Sequence, residues 1–197
     1  VHVPSKAFGE FIEHQSGTPS IGAEELDKLQ CANTDMVVLD SRPFDEYSRI
    51  SIPGGINVPG AELVLRVHDI APSPDTLIVV NCAGRTRSII GAQSLINAGV
   101  PNKVVALRNG TMGWELAGLV CERGRDERFQ VGRPETAALA MSRAQAFAER
   151  TGVRVIAVAD LERFAADGSR TLYVLDVRDP VEFAHKARPG SVSAPGG

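Results

Sequence analysis

Three short runs are apolar along their whole length: Met36 to Leu39, Leu77 to Val80 and Val104 to Leu107. A strand with one wet face would alternate polar and apolar residues, so continuous runs point to strands covered on both faces. Segments with helical character separate them. Pro43 to Ile50 opens with proline at a favourable early position, Ala61 to Asp69 follows a brief strand at Ile56 to Val58, and Ser88 to Ala98 sets Ile89, Ala92, Leu95 and Ile96 on one face. Gly99 stops that helix, and a last short one is expected from Gly113 to Leu119. Strand and helix in alternation imply an α/β fold with a parallel β-sheet and helices on both faces. Ligands of such sheets sit beyond the carboxyl ends of the strands.

The central run delivers a thiol to one of those ends. Leu77-Ile78-Val79-Val80-Asn81 leads into Cys82-Ala83-Gly84-Arg85-Thr86-Arg87-Ser88, with the helix following. Backbone N–H groups of a short turn can converge on one anion, and the helix N-terminus adds partial positive charge. A free cysteine is only a few per cent thiolate at pH 7, and such surroundings favour the ionised form. Cys82 is therefore the candidate nucleophile. Ala83, Gly84, Arg85, Thr86, Arg87 and Ser88 are the candidate anion-binding residues, the two arginines supplying full charges. Asp40 ends another strand and faces the same crevice. It can anchor a loop arginine or cap the helix near Pro43, and Arg42 can pair with Asp45 or Glu46.

A repeat without gaps runs at a spacing of 136 residues. Val38-Leu39-Asp40-Ser41-Arg42 returns as Val174-Leu175-Asp176-Val177-Arg178, Pro53-Gly54 as Pro189-Gly190, and Pro59-Gly60 as Pro195-Gly196. The counterpart of Cys82 would fall beyond Gly197, so the second copy carries no nucleophile. The expected organisation is a linker over 1–18, a first domain over 19–124, a linker and helix over 125–152, and an incomplete second domain over 153–197. The chain opens Val1-His2-Val3-Pro4 without an initiator Met, which reads as an excised piece of a longer polypeptide.

Composition narrows the function. The chain is 43% hydrophobic and 23% charged with net charge −3, which describes an ordinary globular protein and points to neither nucleic acid nor membrane as a partner. Cys31, Cys82 and Cys121 lack metal-ligand spacing and an even-numbered disulfide framework, so no metal or cofactor is expected and a cytoplasmic setting fits. Cys31, Cys121, the four histidines and Trp114 read as ordinary surface or core residues.

Leu39-Asp40-Ser41-Arg42, Ile52-Pro53-Gly54-Gly55-Ile56-Asn57-Val58-Pro59, the Cys82 loop and Leu107-Arg108-Asn109-Gly110-Thr111-Met112-Gly113-Trp114, in this order, resemble the rhodanese family of sulfurtransferases. The resemblance covers about Pro19 to Arg123 and resumes near Val155. It implies the rhodanese-like fold and a tandem multi-domain chain whose rhodanese units contact one another. It also implies a Cys82 thiolate that takes a sulfane sulfur from a small anionic donor such as thiosulfate and yields it to a thiol or cyanide acceptor. Departures are visible. Ser51 stands where many relatives have His, the loop is not the Gly-Ser/Thr-Gly-Val type associated with mercaptopyruvate, and Glu46 stands near where two-domain relatives bind substrate with Arg. The rivals are a Cys-x5-Arg phosphatase or arsenate reductase, against which Ser88 stands six residues after Cys82; a non-catalytic regulatory or scaffold module; and a persulfide relay partner.

Overall fold

The computed structural model describes residues 3–130, 132–178 and 180–195, and the chain divides into two compact units, one ending at Ala144 and one beginning at Gln145. In the first, five strands form one sheet: β1 (Ser20–Ile21), β2 (Met36–Asp40), β3 (Gly55–Asn57), β4 (Leu77–Asn81) and β5 (Val104–Leu107). Their order is β1-β5-β4-β2-β3, and every pairing is parallel. Around them lie α1 (Pro4–Ser16), α2 (Ala23–Cys31), α3 (Phe44–Arg49), α4 (Leu63–Ile70), α5 (Thr86–Asn97) and α6 (Gly110–Leu116); α7 (Pro134–Thr151) starts in this unit and ends in the next.

The all-apolar strands feed two cores. Ile78 and Val80 of β4 pack with Leu63 and Val67 of α4 and Ile89, Ala92 and Leu95 of α5. Val79 points to the other face, into a cluster with Leu26 of α2 and Trp114 of α6. A strand buried this way has no polar face to spare, which is why its sequence shows no alternation. At Gly91 on α5, an added Cβ would lie 2.7 Å from Leu63 Cδ1 and 3.0 Å from Val80 Cγ1, so glycine lets this helix lie close to the sheet. β4 sits at the centre of the sheet, with β2 and β5 as neighbours, and its carboxyl end is where the chain reaches Cys82.

Several boundaries move. α5 starts at Thr86, two residues before the expected Ser88, and α6 spans Gly110–Leu116 where the sequence suggested Gly113 to Leu119. Residues 4–16, inside the expected linker, form α1, which packs against α5.

The second unit contains α8 (Val158–Ala166), β6 (Leu175–Asp176), α9 (Pro180–His185) and β7 (Val192–Ser193). Here the 136-residue repeat has a geometric counterpart. The parallel pairs Leu39↔Ile56 and Asp40↔Asn57 of β2 and β3 recur as Leu175↔Val192 and Asp176↔Ser193. Arg42 donates to Asp40 and to the Ile50 carbonyl; Arg178 likewise donates to Asp176 and to the Lys186 carbonyl. Yet Leu175 and Val192 are more than half exposed, and no described hydrophobic side chain of this unit is buried. Among the described residues, no helix is long and apolar enough to cross a membrane.

Candidate active site

Asn81, the last residue of β4, is fully buried and fixes the entry to the loop. Its Nδ2 donates to Asp40 Oδ2 at 2.8 Å and to Thr111 Oγ1 at 3.2 Å, and its carbonyl accepts from the Ser41 N–H at 2.9 Å and the Ser41 hydroxyl at 2.8 Å. Beyond it the first two carbonyls of the loop are committed to α6. Cys82 O accepts from the Thr111 N–H at 2.8 Å and its hydroxyl at 3.2 Å, and Ala83 O from the Met112 N–H at 3.0 Å. Arg85 O takes the Ile89 N–H and the Ser88 hydroxyl.

The donors of the same peptides are a different matter. Among the described residues, none of the backbone N–H groups from Ala83 to Ser88 has a hydrogen-bond acceptor in the protein. Six consecutive amides, running into the first turn of α5, face no carbonyl. Three of the six, Thr86 to Ser88, are the donors that any helix leaves unpaired in its first turn, and Ala83 to Arg85 extend the run back to the thiol, so the loop offers its donors to an anion rather than to the protein. Cys82 is 1% exposed, belongs to neither hydrophobic cluster, and opens this loop, while Ala83 to Arg87 are half-buried. Ser88 is buried with its hydroxyl on the Arg85 and Leu107 carbonyls, so it shapes the loop from beneath.

Both loop arginines are held by carboxylates. Arg87 donates to both oxygens of Glu46, at 2.9 and 2.7 Å. This bond holds Glu46 below the usual carboxylate range and, against desolvation, raises Arg87 above its ordinary value. Glu46, Cys82 and Asp40 add to the rise electrostatically, which puts the guanidinium within electrostatic reach of the Cys82 sulfur. Arg85 donates through Nη2 to Glu13 of α1.

Asp40 does not anchor a loop arginine, and Arg42 does not pair with Asp45 or Glu46. The two bind each other: Arg42 Nε and Nη2 meet Asp40 at 2.8 and 2.7 Å, the Arg42 N–H meets it at 3.1 Å, and Nη2 also donates to Ile50 O at 2.7 Å. The pair is closer in sequence than any alternative and is buried from water, which favours bidentate contact. Nor does Asp40 cap α3, whose N-cap is Pro43 with no side-chain bond. Glu13, Asn81, Gly110 and Thr111 were not singled out by the sequence reading. Asn109-Gly110 directly after a strand is a turn signal that could have found the last two, whereas Glu13 lies 72 residues from Arg85 and had none.

Residues 22–117 match the rhodanese-like domain family. This stretch is a rhodanese-like domain. A crystal structure of a thiosulfate sulfurtransferase from Pseudomonas aeruginosa is 55% identical, with a TM-score of 0.94, over 98% of this chain and 37% of that one. An HTH-type transcriptional regulator of Mycobacterium tuberculosis is 33% identical over 90 residues, which is 46% of this chain and 39% of the regulator. A Bacillus subtilis protein named as a candidate sulfur carrier is 26% identical over 102 residues, 52% of this chain and 54% of its own length. The chain thus spans about half or less of each of these relatives. The rhodanese-like stretch includes Asp40, Arg42, Glu46 and the whole Cys82 loop; α1 with Glu13 and α7 lie outside it.

Proposed function

We propose that the rhodanese-like domain is a sulfurtransferase that carries sulfane sulfur on Cys82. The Cys82 thiolate attacks the outer sulfur of thiosulfate or a similar donor. A bond forms between the two sulfurs, the donor S–S bond breaks, and sulfite leaves with the electron pair. The resulting persulfide then gives its terminal sulfur to an acceptor thiolate or cyanide, which restores the Cys82 thiolate. No proton must be removed from the nucleophile once it is ionised, so no general base is required.

The observation that carries this reading is the run of six unpartnered amides after Cys82. These donors suit the thiolate, the sulfonate end of the donor and the persulfide in turn, with little rearrangement between steps. Arg85 and Arg87 stand at the same loop to steer an anion, each paired with a carboxylate. The similarity to a thiosulfate sulfurtransferase at 55% identity supports the same chemistry here. For the second unit, the repeated strand register and Asp-Arg pair support its reading as the opening part of another rhodanese-like unit.

The test is intact-mass measurement after incubation with thiosulfate, with the modified peptide located. One added sulfur on the Cys82 peptide is expected, lost on treatment with cyanide or a thiol. Cys82→Ala should abolish transfer while leaving the thermal transition in place. Turnover retained in that variant, or no addition with any sulfane donor, would refute the assignment and leave the scaffold reading.

A further inference from the structure

α1 precedes residue 22, where the match to the rhodanese-like family begins, yet it reaches the reactive loop. Its one buried residue is Gly9, and a Cβ built there would lie 3.0 to 3.2 Å from Thr86, the first residue of α5. That close approach lets α1 cross beside the start of α5 and sets Glu13, one turn further on, against Arg85. The contact uses only part of the guanidinium: Nη2 is on Glu13, while Nε is buried and has no acceptor. Arg87 is held more fully, through both terminal nitrogens, by Glu46. The two cations and two carboxylates at the loop therefore sum to zero.

We infer that Glu13 is a specificity-determining residue of the Cys82 loop: it competes with an anionic donor for Arg85, and so sets how strongly the site attracts charge. This rests on the proposed reading of the loop as an anion site for sulfur transfer. Arg85 is about one-third exposed and Glu13 about one-fifth, so the pair can part without unfolding either helix. With the carboxylate gone, Arg85 keeps its place at the loop and its charge is uncompensated. A donor carrying two negative charges gains more than one carrying a single charge. Glu13 acts through Arg85 and touches no reacting atom, which makes it a positioning residue.

The experiment compares Glu13→Gln with the parent in two ways. In a Cys82→Ser background, which cannot turn over, thiosulfate binding is measured by calorimetry. The dissociation constant should fall about two- to fivefold, the range an exposed ion pair usually accounts for, and the difference should shrink as salt is added. In the chain with Cys82 intact, KM for thiosulfate should fall while kcat holds, and a monoanionic thiosulfonate donor should show a smaller change. Equal or weaker thiosulfate binding in Glu13→Gln, or no binding to either protein, overturns the inference. A parent that binds thiosulfate more tightly on Glu13→Gln substitution but transfers no sulfur would leave this inference standing and sink the sulfurtransferase reading instead.

Discussion

Arg42 is among the largest fully buried side chains of the chain, 2% exposed against an Asp40 that is 1% exposed. Two charges taken out of water are tolerated when they are paired and well hydrogen-bonded. Here Asp40 takes three donors from Arg42 and one from Asn81, and Arg42 spends its remaining Nη2 capacity on Ile50 O while its own carbonyl accepts from Asn57 at 2.7 Å. The pair thereby ties the end of β2 to the ends of β3 and β4, next to the thiol. Arg42→Met fills the same space and leaves the Asp40 charge enclosed with only Asn81 and a backbone amide. It should cost about 3–5 kcal/mol, read as a lower urea midpoint at unchanged slope. A loss under about 1 kcal/mol would mean that water reaches Asp40 and that the pair is not a structural keystone. At this scale the sequence pointed to the right residues, Asp40 and Arg42, and to the wrong partners. Asp-x-Arg after a strand is compatible with a cap, a long-range anchor or a mutual pair, and only the enclosure of both side chains selects the last.

The turn between β5 and α6 does for the loop carbonyls what Asn81 does for its entry. Asn109 and Gly110 both take positive φ, 60° and 52°, and so swing the Thr111 and Met112 amides onto the Cys82 and Ala83 carbonyls. A Cβ at Gly110 would stand 2.1 Å from Cys82 O and 2.9 Å from Gly84 O, both backbone atoms that cannot rotate away. Gly110→Ala therefore combines backbone strain of about 1–3 kcal/mol with a forced shift of the loop. Persulfide formation on Cys82 should fall by more than the accompanying loss of Tm accounts for; a variant with a lowered Tm but normal persulfide formation would show that the loop tolerates the displacement. This turn also explains a boundary. The sequence suggests a last helix from Gly113, whereas α6 starts at Gly110, directly at the positive-φ pair. β2, β4 and β5 were legible because an apolar run bounded by turns is a local signal, whereas the two-residue β1 offers no such run. α1 was not: its apolar spacing is confined to Phe8, Phe11 and Ile12, of which Ile12 packs on the core while Phe8 and Phe11 are 55% and 56% exposed.

In the first unit, the start of α7 is tied to residues of the family match although α7 itself lies outside it. Asp69 of α4 accepts from the Thr136 hydroxyl at 2.8 Å and from Arg133 Nε at 3.1 Å, Ala140 is buried, and Arg143 donates to Gly99 O at the end of α5. Beside Asp69, His68 is 8% exposed and its Nε2 has no partner. Burial first, and then the positive charge of Arg143, hold His68 below its ordinary value of 6.5 against the pull of Asp69. The unfolded chain then binds more protons than the folded one between that lowered value and 6.5, so stability falls as pH drops through this window. Glu46 acts lower down: with its pKa below the ordinary 4.5, its contribution is complete above 4.5 and is lost only as pH falls through the folded value. The two windows can be separated by substitution. His68→Leu removes the upper proton site and fills apolar space next to Val67 and Ile70 of the same helix, so the urea midpoint should become nearly flat between pH 7.5 and 5.5 where the parent declines, while the acid limb below pH 4.5 persists. An unchanged slope in His68→Leu over that interval would assign the decline to another group and return His68 to the role of a simple core residue.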